Sequence, residues 1–119
     1  MTKVQTVICI FALTLLVSSC GEPQPELPGQ EEANIASYLD LTKTQCANVL
    51  GGDGVRDLTV ASAKLKKKAS QLGYERDYSR PDVGVATAWS ISAGMQSRRD
   101  ACNKFVTGSY NRMAAMGVL

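Results

Sequence analysis

"EEANIASYLDLTKTQCANVL", Glu31 to Leu50, places apolar or small side chains at Ile35, Leu39, Thr42, Cys46, Val49 and Leu50. These are the three- and four-residue steps that put side chains on one face of a helix. A strand would alternate every second residue instead, and no useful length of this chain does so. The spacing therefore predicts a helix with Cys46 on its apolar stripe. The helix should stop at "GGDG", residues 51–54, because glycines accept the positive φ that ends helices.

Towards the C-terminus the same rhythm recurs. A second helix is expected from about Asp57 to Leu72, with Leu58, Ala61, Leu65, Ala69 and Leu72 on one face and Gly73 placed to end it. "YERDYSRPDVG" reads as a connector, with Pro81 suited to the first turn of a third helix and Ser79 or a neighbour capping it. From Pro81 to Met95 the apolar residues Val83, Val85, Ala86, Trp89, Ile91, Ala93 and Met95 fall on more than one face, although Gly84 and the β-branched residues weaken helix propensity. That pattern suits either a buried central helix or a helix whose second apolar face serves a partner. The last helix opens at "SRRD", residues 97–100, which resembles a capping box with Asp in place of Glu or Gln. Cys102, Phe105, Val106, Ser109, Met113 and Met116 then continue the stripe. The expected fold is a small all-α domain of about four helices.

Upstream, Lys3 precedes the uncharged run Val7 to Val17, the positive end and apolar core of a secretion signal. The run is shorter than the ~20 residues needed to cross a bilayer as a helix. Val17-Ser18-Ser19-Cys20 resembles the bacterial lipobox, in which signal peptidase II cuts directly before a diacylated cysteine; an ordinary secretory signal cut at a nearby small residue is the alternative. The resemblance makes Cys20 the lipidation site, carrying covalent diacylglycerol and N-acyl lipid, and two or three acyl chains hold a protein on a bilayer where one would exchange. Gly21 lacks the inner-membrane retention aspartate of sorted lipoproteins, so the expected address is the periplasmic face of the outer membrane of a Gram-negative bacterium. Pro23, Pro25 and Pro28, interspersed with glutamates, favour an extended flexible tether. The chain thus divides into a signal at 1–19, a lipidated cysteine and tether at 20–32, and a helical domain at 33–119.

Cys9 leaves with the signal and Cys20 is capped, so Cys46 and Cys102 remain in an oxidising compartment. A single Cys46–Cys102 disulfide is expected, with two separate buried thiols as the alternative. Both cysteines lie on apolar stripes, so side-by-side packing of the first and last helices would bring them within reach and clamp the ends of the domain.

Charge and composition narrow the function. Lys and Arg number 13 against 11 Asp and Glu, and Glu22, Glu26, Glu31 and Glu32 all precede Ala33, leaving the helical part basic. Lys64, Lys66, Lys67 and Lys68 form a cluster that reads as a solvated face, with attraction to anionic membrane or partner surfaces as the lesser reading; nucleic acid is not an expected partner. Histidine, the commonest general base and a common metal ligand, is absent from the sequence. There is no GxSxG, P-loop, dinucleotide fingerprint or CxxC either. Asp40, Asp53, Asp57, Asp77, Asp82 and Asp100 are scattered over expected caps and turns, and "GGDGVRD" lacks the remaining oxygen ligands of an EF-hand loop. The sequence points away from an enzyme and implies no metal and no cofactor beyond the lipid.

A lipobox, a proline-bearing tether and a small helical domain with two cysteines fifty-six residues apart resemble the PulS/OutS-type pilotins of type II secretion systems. The similarity includes "YLDLTKTQC", "LGYERDYS" and "CNKF" before a terminal helix bearing an aromatic and methionines, and it covers most of residues 35–116. The resemblance implies a chaperone-like protein-transport role: binding the C-terminal segment of a secretin, which folds into a helix in an apolar groove, and travelling with it through the lipoprotein-sorting machinery to the outer membrane. Helix-in-groove recognition needs an apolar cleft between helices. The expected groove walls are Val83, Val85, Ala86 and Trp89, with Leu58 and Leu65 opposite. The alternatives are an entry-exclusion or structural envelope lipoprotein, a pilotin of another secretion system, or a small envelope inhibitor of an enzyme.

Overall fold

The computed structural model describes residues 26–119, and the expected signal, lipobox and Cys20, with the first residues of the tether, lie outside them. Four helices follow in order: α1 Gln30–Gln45, α2 Ala47–Gln71, α3 Val83–Met95 and α4 Arg98–Ala115. No strand occurs among the described residues. The all-α expectation holds, and so does the clamp: Cys46 and Cys102 form a disulfide with their Cα atoms 5.5 Å apart.

The domain begins earlier than Ala33. Composition marks Gly29 to Glu32 as tether, yet Gly29 is buried and α1 starts at Gln30, with Glu31 and Glu32 in the first turn where carboxylates complement the helix dipole. Gly29 has φ +86°, and a Cβ there would stand 2.8 Å from both the Ala69 carbonyl oxygen and the Tyr74 Cβ. The chain can enter α1 along this path only because Gly29 has no side chain.

The first helix boundary also moves. Cys46 leaves helical geometry at φ −125°, while its N–H donates to the Thr42 carbonyl at 2.8 Å and closes α1. Ala47–Leu50 makes one further turn, and the backbone then breaks at Gly51 (φ 73°, ψ 178°) before running helically to Gln71. Of the expected "GGDG" stop, Gly51 alone acts as the break, and Gly54 lies buried within α2. At Gly51 the strain of a substitution is purely conformational, since an added Cβ would have nothing within 4 Å. Gly29→Ala is accordingly expected to cost about 2–5 kcal/mol, combining left-handed strain with overlap against the Ala69 backbone and Tyr74. Gly51→Ala should cost only the strain, about 1–3 kcal/mol. Urea unfolding of the two variants checks the order; equal stability of Gly29→Ala and the parent would remove Gly29 from the packed domain.

The second stripe buries Leu58, Ala61, Leu65 and Ala69, while Leu72 emerges at the helix end. Gly73 and Tyr74 donate to the Ser70 and Ala69 carbonyls and terminate α2 as expected. The α3 start differs from expectation. Asp82, not Ser79, is the cap, its carboxylate accepting from the Val85 N–H at 3.2 Å, so Pro81 precedes the cap and does not occupy the first turn. An aspartate that can reach the third amide after it is a strong cap, and it sets the start of the helix beyond the proline. Ser97 caps α4 through the Asp100 N–H, the cap expected from "SRRD".

The core has two halves. Leu39 and Ala36 of α1 meet Leu58, Ala61 and Leu65 of α2 and Met113 of α4. Leu41 and the disulfide gather with Trp89 of α3 and with Ala101 and Phe105 of α4. Helix α3 packs against α1 and α4 and makes no close approach to α2.

Candidate docking surface

Helix α3, "VGVATAWSISAGM", contains no charged residue. Its residues separate into two stripes at four-residue steps. Val85, Trp89 and Ala93, with Ala86, turn towards Phe105 and the disulfide. Val83, Ile91 and Met95 turn out and are 80%, 56% and 83% exposed. Trp89 is the one buried residue of the helix; its ring meets Phe105 edge-on at 5.2 Å, and Phe105 in turn stacks on Tyr38 at 4.9 Å. Arg98 lies over the Trp89 ring at 5.7 Å and donates to the Gln45 side chain at 2.7 Å, pinning the start of α4 to the end of α1.

The connector from Leu72 to Asp82 straps the start of α3 to α1. Arg76 donates to Asn34 at 2.6 Å, and the Asp82 N–H donates to Ser37 Oγ at 2.8 Å. Asp40 accepts from Ser62 and pairs with Lys66, each at 2.7 Å, and the Lys66 ammonium also stands 4.9 Å over the Tyr78 ring. Lys66 is therefore a structural lysine, whereas Lys64, Lys67 and Lys68 are exposed on α2.

Two depressions flank Pro81. One, of about 450 Å³, is open and apolar and lies along α3, lined by Pro81, Val83, Ala86, Thr87, Ser90 and Ile91. The other, of about 270 Å³, lies between α1 and the connector, with Asp40, Leu41, Thr44, Tyr78, Arg80 and Pro81 among its lining. Burial pushes the Tyr78 hydroxyl above the usual tyrosine range, opposed in part by the Arg76 cation. That hydroxyl is buried and has no hydrogen-bond partner among the described residues.

The structure brings together only part of the expected groove. Val83 and Ala86 line the apolar depression. Val85 is half-buried against the Phe105 cluster, and Trp89 points inward as the pin that seats α3. Leu58 and Leu65 do not stand opposite: they are 0% and 1% exposed in the other half of the core, on a helix that α3 does not approach. Periodicity identifies them as facing inward but not which helix they face. Ile91 and Met95 belong to the outer surface and are not among the expected walls; their spacing with Val83 and Thr87 at four-residue steps is the signal that separates them from the Trp89 stripe.

The carboxylates have local roles: Asp82 caps α3, Asp57 accepts from Tyr110, and Asp53 pairs with Arg56. Backbone and side-chain hydrogen bonds from Ser79 hold the Asp77 carboxyl below the usual range. Among the described residues no three His, Cys, Asp or Glu side chains gather in a way that could hold a metal ion. Among them also, no helix is long and apolar enough to cross a membrane. Comparison with family models, with curated proteins and with solved structures finds no match for this chain.

Proposed function

We propose that this chain is a lipoprotein pilotin, anchored through Cys20 at the periplasmic face of the outer membrane, which binds the C-terminal segment of a type II secretion secretin and delivers it for assembly. The observation that carries the reading is α3: an uncharged helix, seated by Trp89, with a second apolar stripe of Val83, Ile91 and Met95 left open beside a depression of about 450 Å³. An amphipathic helix laid on such a stripe buries apolar side chains at three- and four-residue steps. A disordered segment that folds as it binds gives up ordering free energy, which favours an exchangeable affinity suited to handing over a client. The lipobox-like Val17–Cys20 supports the membrane address.

Titration of the protein with peptides spanning the C-terminus of each secretin of the same genome tests this. One peptide is expected to bind saturably and to gain helicity by circular dichroism. Ile91→Asp, at an exposed position, is expected to weaken that binding by about tenfold to a hundredfold while leaving the melting temperature unchanged, because a charge would be desolvated in the interface. A flat response to every peptide would overturn the reading and favour an entry-exclusion or structural envelope lipoprotein.

A further inference from the structure

The chain enters the helical domain at the C-terminal end of α2, and that end carries charge the fold does not use. Gly29 packs on the Ala69 carbonyl and on Tyr74, so the segment leading from Cys20 joins the domain beside the last turn of α2. Lys64, Lys67 and Lys68 stand in the last turns of the same helix, are exposed, and make no ion pair among the described residues. Their three- and four-residue spacing puts the three ammonium groups on one side of α2, where they repel one another and weaken the helix. Lys66 is different, because it turns to Asp40 of α1. Lys67, Lys68 and Lys64 lie about 100–160° round α2 from Lys66, away from the side that α1 covers. The carboxylates of this end are placed elsewhere: Glu26, Glu31 and Glu32 belong to the chain entering α1, and Glu75 accepts from Ser70.

Resting on the reading that Cys20 carries the lipid anchor, we infer that Lys64, Lys67 and Lys68 form a membrane-docking face that lies on anionic phospholipid headgroups. The length of chain between anchor and domain selects this occupant. Leu27 follows Cys20 by seven residues, which span at most about 25 Å. A lipidated Cys20 therefore keeps this end of the domain close to the bilayer and makes contact with it an intramolecular event at high effective concentration. Attraction of lysines to anionic lipid acts over about a Debye length, about 8 Å at physiological ionic strength, so it is the anchor that brings the cluster into range. Leu27 and Leu72, exposed at the same end, add apolar contact with the interface. Docking also sets the direction of α3. That helix starts where Asp82 meets Ser37, about 10 Å along α1 from Gln30, and continues towards the disulfide, so its open stripe is held away from the bilayer and free for a client.

The experiment uses the lipidated chain on vesicles of phosphatidylethanolamine with phosphatidylglycerol, on vesicles of phosphatidylcholine alone, and in neutral detergent. A water-soluble acetylating reagent is added, and the rate at each lysine is read by mass spectrometry. On the anionic vesicles Lys67 and Lys68 are expected to react about three- to tenfold more slowly than in detergent, with Lys104 at the other end of the domain unchanged. High salt or phosphatidylcholine should remove the protection. Lys64→Gln combined with Lys67→Gln should return Lys68 most of the way to its rate in detergent, with circular dichroism verifying the fold. Equal rates on vesicles and in detergent, for protein that floats with the vesicles, overturn the inference and leave the lipid anchor in place. Failure to float with any vesicle overturns the anchor and the inference with it. Protection that is as strong on phosphatidylcholine, that survives high salt, or that extends equally to Lys104 overturns the assignment of this face to anionic headgroups.

Discussion

Replacing Cys46 and Cys102 together with alanine lowers the melting temperature by about 15–30 °C. The disulfide closes a loop of fifty-six residues, and a cross-link of that span stabilises by about 4 kcal/mol in the chain-entropy account. A domain of this size shifts by about 4–8 °C per kcal/mol. The position of the bond makes the loss severe. Cys46 is the hinge between α1 and α2, and Cys102 lies in the first turns of α4, so the bond ties α4 to that hinge beside the cluster that seats α3. Alanine is preferred to serine because both sulfur positions are buried, at 1% and 3% exposure, and a serine hydroxyl there would add a burial penalty of its own. Thermal unfolding of the parent, oxidised and reduced, completes the comparison. The reduced parent should melt near the double variant, and equal melting of oxidised and reduced protein would show that the bond does not stabilise the fold.

Features held within a few residues were legible in the sequence; features set by contact between distant segments were not. Ser97 caps α4 through an amide three residues away, and the Gly73 stop is built from the last turn of α2, so local pattern suffices for both. The break at Cys46 is different. Its stripe continues unbroken through Val49 and Leu50, and the local stop that the sequence offers lies further on, at Gly51. Cys46 leaves helical geometry at the point where the disulfide to α4 is made, a partner fifty-six residues away. Gly29 shows the same limit from the other side. A proline- and glutamate-rich stretch reads as tether, and the fit of Gly29 against Ala69 and Tyr74 depends on residues about forty positions distant. The groove was half legible for a similar reason. Two apolar stripes on α3 mark it as a helix with two contacts, but which stripe turns inward depends on Phe105, and Leu58 and Leu65 are committed to α1 and α4.

Trp89→Ala is expected to release α3 while the rest of the domain stays folded. Truncating a buried tryptophan costs about 3–5 kcal/mol. In most helices such a loss is shared among many buried neighbours, but in α3 Trp89 is the one buried residue, and the helix has no contact with α2 to fall back on. The core formed by Leu39, Leu58, Leu65 and Met113 involves no α3 residue, so it keeps α1, α2 and α4 together. Local opening of α3 therefore becomes cheaper than global unfolding. Hydrogen exchange should show the α3 amides losing protection by about a hundredfold or more, with those in the middle of α2 changing far less. Leu65→Ala is the contrast, because its site lies in the α1–α2–α4 core and its loss of about 2–5 kcal/mol should lower protection throughout the domain. If Trp89→Ala instead lowers protection uniformly, α3 is an integral part of one cooperative core. If α3 opens alone, the apolar stripe sits on the least anchored helix of the fold. On the pilotin reading, a client helix laid on that stripe would then stabilise α3 as it binds, and the peptide that binds the parent should restore part of the α3 protection in the variant.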